Sequence, residues 1–295
     1  MKKLKAVWEL MRLEHGVMLF IGIFIGSVIS LGGFDISFWD KFVLTFFTAL
    51  FLEASTFALN DYFDLEIDKK NKRVDRPLVR GDLKPRTALV LFGIFFPLGI
   101  ICSFFVNMAC FVIALITALL AILYDVRMKK IKVIGNFYIA YVMAIPFVFG
   151  AAAVLPEKGL SFTISPSIFI LALIAFLAGS GREIMKDVQD YEGDQERGVR
   201  SFPKYIGKYK SNVVAGFFYI IAIVLSFIPF VFETFDIYYR NLYYMAIIII
   251  TDVMLVITAM QLIFNKDINL KKYRKVTLSA IFIGLIGFLV GALFG

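Results

Sequence analysis

Apolar residues in this chain run in long uninterrupted stretches, and the charged residues gather in short segments between them. Val43 to Leu59 and Ile164 to Gly179 carry almost no charge. A helix needs roughly 20 apolar residues to cross a bilayer core. On that criterion the pattern predicts nine spans, at about 15–32, 41–60, 87–105, 107–124, 133–154, 164–186, 211–232, 240–264 and 273–294. The break between the third and fourth falls at Val106-Asn107-Met108. The N-terminal lysines and the apolar run Val17 to Leu31 have the outline of a signal peptide. No small-residue cleavage site follows and further spans do, so this segment is expected to be the first transmembrane helix of the mature protein.

Composition agrees with the pattern. Apolar residues make up 60% of the chain and charged residues 18%, where a soluble domain is nearer half apolar. The expected fold class is all-α, a polytopic membrane protein forming one nine-helix domain over residues 1–295. The net charge of +8 raises nucleic acid as a partner, but the placement of the charges argues against it. With a cytoplasmic N-terminus, the inner segments 1–15, 61–86, 125–132, 182–210 and 265–275 hold 28 of the 31 basic residues. Only Lys41, Lys158 and Arg240 fall outside, which is the bias that orients membrane proteins. Removing one span would reverse every later loop and scramble it. The expected location is the cell membrane, with the loops 61–86, 125–132 and 182–210 on the cytoplasmic side. Cys102 and Cys110 lie in apolar stretches with no CxxC, and His15 is the single histidine. A disulfide framework and a multi-histidine metal site are therefore not expected.

The chemistry gathers at two helix ends. The second span leads into Asn60-Asp61-Tyr62-Phe63-Asp64-Leu65-Glu66-Ile67-Asp68, and the sixth into Lys186-Asp187-Val188-Gln189-Asp190-Tyr191-Glu192-Gly193-Asp194. In both, three aspartates are spaced +3 and +4, so each trio shares one helical face. Three carboxylates on one face repel one another and need compensation. Mg²⁺, an oxygen-seeking ion held by one or two carboxylates together with substrate phosphates, supplies it. Two such clusters suit two ions and a diphosphate. The bland alternative, solvated loop aspartates balancing nearby lysines, fits one cluster better than two of identical spacing. Basic residues accompany both clusters: Lys72, Arg73, Arg76 and Arg80 follow the first, Arg182 and Lys186 precede the second, and Arg197, Arg200 and Lys204 follow it. Most of these answer to the inner leaflet. Arg76, Arg80, Arg182 and Lys186 lie nearest the carboxylates and are the candidates for neutralising a departing diphosphate. Glu53 stands at i−7 from Asn60 on roughly the same face, and an intramembrane carboxylate is a functional candidate or a buried hydrogen-bonded acid. Gly284, Gly287, Gly291 and Gly295 recur at helical spacing and predict close helix packing.

These strings resemble a family. Asn60-Asp61-x-x-Asp64-x-x-x-Asp68 looks like the first signature of the UbiA prenyltransferases, and Asp187-x-x-Asp190-x-x-x-Asp194 the second. Arg76-Pro77 and Arg80-Gly81 resemble the segment after the first signature, and Leu123-Tyr124 through Lys129-Lys130 to Gly135-Asn136 the fourth-loop pattern. Asp125 departs from it, standing where a small polar residue is common, and leaves open whether Arg127 or Lys129 contacts phosphate. The resemblance implies nine helices around a lipid-accessible central cavity, with Mg²⁺ as cofactor. It implies that Asn60, Asp61, Asp64, Asp68, Asp187, Asp190 and Asp194 form the catalytic set, the six aspartates holding the metal. Arg12, Glu53, Arg76, Arg80, Tyr124, Lys129, Lys130, Arg182 and Lys186 are the implied substrate contacts, with Arg12, Lys129 or Lys130 meeting an acceptor phosphate. Asn60-Asp61-Tyr62-Phe63-Asp64 and Arg182-Glu183-Ile184-Met185-Lys186-Asp187 look most like members that transfer a geranylgeranyl group from its diphosphate to the glycerol hydroxyl of geranylgeranylglyceryl phosphate in archaeal ether-lipid synthesis. The implied partners are a polyprenyl diphosphate, a lipid acceptor and membrane lipids, with no nucleic acid and no protein partner. Two alternatives stand beside this: transfer to an aromatic acceptor of quinone, tocopherol or haem O type, and a divalent-cation transporter. Transport predicts carboxylates near the bilayer midplane at broken helices. A CDP-alcohol phosphotransferase is disfavoured because neither cluster carries that family's Asp-Gly and Ala-Arg elements.

Overall fold

A computed structural model describes residues 2–70, 72–154, 164–196 and 198–294. Asn71, Lys158, Arg197 and Gly295, which entered the sequence expectations, lie outside them. The described residues fold into helices α1 Lys2–Met11, α2 Leu13–Leu31, α3 Trp39–Lys70, α4 Pro77–Arg80, α5 Pro85–Val106, α6 Met108–Val126, α7 Lys132–Ala153, α8 Pro166–Glu196, α9 Phe202–Ile206, α10 Lys208–Val231, α11 Leu242–Phe264 and α12 Leu270–Leu293. Among the described residues there is no strand, and nine helical segments are long and apolar enough to cross a membrane. They follow the nine predicted spans one for one. The break at Asn107 has a local cause: its side-chain oxygen accepts from the Cys110 backbone N–H at 2.8 Å, capping α6.

Two helices run further than their apolar stretches. The second span was expected to end at residue 60 and the sixth at 186, yet α3 continues to Lys70 and α8 to Glu196. Both aspartate trios therefore sit on helix, as their shared-face spacing requires, although the loop bounds 61–86 and 182–210 had included them. The extensions are amphipathic, and their apolar side has a core to join. Leu65 of α3 is buried with Ala58, Leu78, Leu83 and Ala88, and with Ala6 and Leu10 of α1. α1 is itself an addition to the expected elements. It is set off from α2 by Arg12, whose φ of +46° breaks the helix.

The chain divides into two compact units. The first comprises residues 1–24, 36–127 and 152–162. In it α3 lies along α5, with Gly99 so close to α3 that a Cβ there would stand 2.7 Å from Leu52 Cγ. α6 packs on both. The second unit comprises residues 25–35, 128–151 and 163–295. Here α8 packs on α10, α10 on α11, α11 on α12 and α12 on α8. The core between them holds Ile184, Met185, Ala215, Tyr219, Leu255 and Leu262. Lipid tails are as apolar as leucine, so helices associate through close packing of small residues. Gly181 faces the Ala215 carbonyl and the Tyr219 ring, and Gly284, Gly287 and Gly291 face Thr251, Ile248 and Tyr238. The glycines of the last span are thus packing residues, as their spacing predicted.

Candidate active site

In the first unit, the site grows from the last three turns of α3. Asp61 is buried, and its Oδ1 accepts from Arg12 Nη2 at 2.6 Å and from Arg76 Nη1 at 2.7 Å. Its Oδ2 is equally buried and has no hydrogen-bond partner. Arg12 arrives from the junction of α1 and α2, with its guanidinium 4.3 Å above the Phe57 ring. Arg76 arrives from the turn before α4, where Pro77 starts that helix. The Arg76 Nε stands 3.9 Å from Asp68 Oδ2, within ion-pair reach of the buried third aspartate. Asp64 is half-buried on the same face. Arg12 and Arg76 thus meet the first trio.

Asn60 points elsewhere. Its Nδ2 donates to Asp125 Oδ1 at 2.6 Å, tying the end of α3 to the end of α6. Asp125 is buried, so the residue that departs from the family pattern is a structural partner of the first signature. With one amide N–H engaged by Asp125, the Asn60 oxygen is the acceptor the side chain can offer a cation. Glu53, two turns deeper on α3, is half-buried and within electrostatic reach of Arg12. Arg80 is not drawn to the aspartates of α3. It bonds Asp82 at 2.7 Å, Glu9, and the carbonyls of Val74 and Asp75, bracing the loop that delivers Arg76. Tyr124 is half-buried in the last turn of α6.

The second unit repeats the arrangement with a different cation. Asp187 Oδ2 accepts from Asn136 Nδ2 at 2.7 Å, and Asp187 Oδ1 lies 3.4 Å from Lys132 Nζ. The same ammonium bonds Asp194 Oδ2 at 2.5 Å. Both carboxylates are buried, and the half-buried Asp190 between them is within electrostatic reach of Lys132. Lys132 and Asn136 open α7, which is held in register by two backbone bonds, Arg200 N–H to the Lys130 carbonyl and Val133 N–H to the Arg200 carbonyl. Lys129 and Lys130 form the short 3-10 turn just before. Arg182 and Lys186 both turn to the buried Glu183, at 3.2 and 3.0 Å, and so do not touch the aspartates.

Lys132 and Glu183 are the residues that sequence reasoning passed over. Glu183 lay inside a string already singled out. Lys132 had no local signal, because its partner Asp194 is 62 positions away. Among the described residues, no group of three or more histidines, cysteines or carboxylates is gathered tightly enough to hold a metal alone. An all-oxygen donor set of one or two carboxylates per ion is what Mg²⁺ uses when phosphate completes its shell.

The sequence matches the UbiA prenyltransferase family over residues 19–286. It is similar to digeranylgeranylglyceryl phosphate synthase of Archaeoglobus fulgidus, with 43% identity over 292 residues, 98% of this chain and 96% of that one. A solved structure of digeranylgeranylglyceryl phosphate synthase shares 36% identity and covers 100% of both chains, with a TM-score of 0.79. A UbiA homologue from Archaeoglobus fulgidus, solved bound to DMAPP and Mg²⁺, is 18% identical. It covers 96% of this chain and 99% of its own with a TM-score of 0.58, a likeness of fold.

Proposed function

The chain belongs to the UbiA prenyltransferase family, and we propose that it transfers a geranylgeranyl group from geranylgeranyl diphosphate to the glycerol hydroxyl of geranylgeranylglyceryl phosphate. It is a multi-pass membrane protein, and the charge bias supports a cytoplasmic face for the loops that carry the aspartates. One observation carries the reading. Each acidic helix end has a buried aspartate gripped by cations from other helices or loops, Asp61 by Arg12 and Arg76, and Asp187 by Lys132. Such a pairing places basic side chains beside carboxylates, which a metal–diphosphate requires and a bare cation channel does not.

The residues fit Mg²⁺. The donors are carboxylate oxygens, one of which, Asp61 Oδ2, is buried without a partner. Asp61, Asp64, Asp68, Asp187, Asp190 and Asp194 are the proposed ligands, with the Asn60 oxygen beside them. When bound, Mg²⁺ neutralises the diphosphate and makes it a better leaving group. Arg12, Arg76 and Lys132 supply fixed positive charge where negative charge builds on the departing oxygens. Arg76 and Arg12 offer planar N–H pairs suited to phosphate oxygens. The allylic C–O bond to the diphosphate breaks, the acceptor oxygen forms the new ether bond, and its hydroxyl proton is released. The lipid acceptor and the membrane are the partners in this reading.

The test is prenyl transfer by the full chain in lipid nanodiscs. Labelled geranylgeranyl diphosphate is supplied with either the glyceryl phosphate or an aromatic acceptor. Asp64→Ala and Asp190→Ala should each lower turnover by at least about a hundredfold, the loss typical of removing one electrostatic partner of a transition state, and EDTA should abolish it. Product formation in EDTA, or unchanged turnover in both variants, overturns the mechanism. Transfer to the aromatic compound alone overturns the choice of acceptor.

A further inference from the structure

We propose that in the transfer reaction just described, on which this assignment rests, Glu53 is the base that takes the acceptor's hydroxyl proton as the ether bond forms. An intramembrane carboxylate has two roles open to it, a functional group or an acid hydrogen-bonded to a neighbouring helix. The second is not met. Glu53 is half-buried, and among the described residues no hydrogen bond or ion pair engages its carboxyl. A carboxylate in the apolar part of a membrane helix is costly without a partner, so this one is placed for a group that arrives. Its position on α3 says which. Glu53, Phe57, Asp61, Asp64 and Asp68 are spaced +4, +4, +3 and +4, one stripe along one helical face. Arg12 accompanies that stripe. It bonds Asp61 at 2.6 Å, stands 4.3 Å above the Phe57 ring and is within electrostatic reach of Glu53.

A prenyl diphosphate on such a stripe keeps its charged head at the aspartates and its chain along the apolar stretch. The allylic carbon then lies on the apolar side of the departing oxygen. The acceptor oxygen attacks opposite the leaving group, so it lies deeper still. Reacting atoms start about 3 Å apart and a base works within about 3 Å of its hydroxyl, which puts the base roughly 6–10 Å beyond the departing oxygen. Glu53 precedes Asn60 by seven residues, a rise of about 10 Å in an α-helix. In the balanced step, the electron pair of the allylic C–O bond leaves with the diphosphate and a lone pair of the acceptor oxygen closes the ether bond. The hydroxyl proton passes to a Glu53 carboxylate oxygen and on to water. Other titratable groups are engaged or off this face. Asp61 is held by Arg12 and Arg76, and Glu183 of the second unit by Arg182 and Lys186. His15 meets the Phe57 ring from α2 at 5.0 Å, with Glu14 3.8 Å from its Nδ1.

The experiment uses the full chain in nanodiscs and geranylgeranyl diphosphate with an isotope label in the oxygen that joins the allylic carbon to phosphorus. Ionisation followed by return scrambles that label among the diphosphate oxygens, so exchange reports bond breaking separately from transfer. Glu53→Gln should lower ether formation by at least about a hundredfold, the usual share of a general base. Label exchange should continue, and the rise in melting temperature with Mg²⁺ and geranylgeranyl diphosphate should be unchanged. A second acceptor carries a thiol in place of the reacting hydroxyl. A thiol gives up its proton far more readily than an alcohol, so with it the Glu53→Gln loss should shrink to about tenfold or less. That comparison is made within one variant and holds even where less of it folds. The assignment is overturned by ether formation that survives in Glu53→Gln, by label exchange lost together with transfer, or by equal losses for hydroxyl and thiol. An equally large loss in His15→Asn would move the base to α2 and overturn it as well. Wild type separates the two claims. If it forms no ether with the glyceryl acceptor, the functional reading falls and Glu53 with it. If it does and Glu53→Gln keeps pace, only the base assignment falls.

Discussion

At the scale of single residues, the site is governed by which cation sits on which carboxylate. Lys132 carries the clearest case, with one ammonium between two buried aspartates that otherwise repel. Removing one partner of a buried ion pair strands the other, and costs more than the pair itself contributes. Lys132→Met should therefore destabilise the protein by about 3 kcal/mol in thermal unfolding in detergent. Adding Asp194→Asn should recover part of that loss, and a double variant no more stable than Lys132→Met refutes the pairing. Asp125 allows a finer test. If it turns the Asn60 oxygen toward the ligand, Asp125→Ala should lower turnover by about tenfold, a typical cost for one misdirected polar contact, with stability changed less than in Lys132→Met. The aspartate trios were legible because carboxylates at +3 and +4 can be counted along one chain. Of their partners, Arg76 was legible from its closeness in sequence and does meet Asp61, but the long-range pairings were not. Arg12 and Lys132 reach Asp61 and Asp194 across 49 and 62 residues, and no local spacing encodes such distances. Arg182 and Lys186 mislead for the opposite reason: they neighbour Asp187 in sequence, but the Glu183 between them takes both.

Among the elements, the informative departures are at the ends of helices. Hydropathy registers where apolar sequence stops, and α3 passes that point because its extension packs against Leu78 and Leu83, α8 because its extension buries Asp187, Val188 and Asp194, with both aspartates held by Lys132. α1 escaped prediction because it is short and polar, and no glycine or proline marks its break at Arg12. Where the sequence signal is itself steric, prediction and structure coincide. The glycines of α12 give a graded series. A Cβ at Gly291 would lie 2.7 Å from the Tyr238 ring and 3.0 Å from Tyr244 Cβ, whereas at Gly284 its nearest neighbour is the Thr251 methyl at 3.3 Å. The two rings are locked, Tyr238 by a hydrogen bond to the Phe288 carbonyl and Tyr244 by one to the Ser226 carbonyl. Overpacking of that kind costs about 1–3 kcal/mol. Gly291→Ala should lower the melting temperature in detergent by several degrees and Gly284→Ala by less. The reverse order would show that the rings yield more readily than the methyl.

For the whole molecule, the main question is whether the two acidic helix ends, one in each compact unit, act on the same ligand. Ligand linkage answers it without any assumption about distance. A ligand that binds only the folded protein stabilises it by RT ln(1 + [L]/Kd), about 2.7 kcal/mol at a hundred times Kd. If both ends serve one magnesium–diphosphate, Mg²⁺ and geranylgeranyl diphosphate added together should raise the melting temperature by more than the sum of their separate effects. Asp64→Ala in the first unit and Asp190→Ala in the second should each abolish that excess entirely. Were the ends independent sites, each variant would remove only its own share and the double variant would remove the whole. Equal and complete loss in each single variant is therefore the signature of a shared ligand. It also separates that arrangement from cation transport, in which the diphosphate would add nothing to the stabilisation by Mg²⁺.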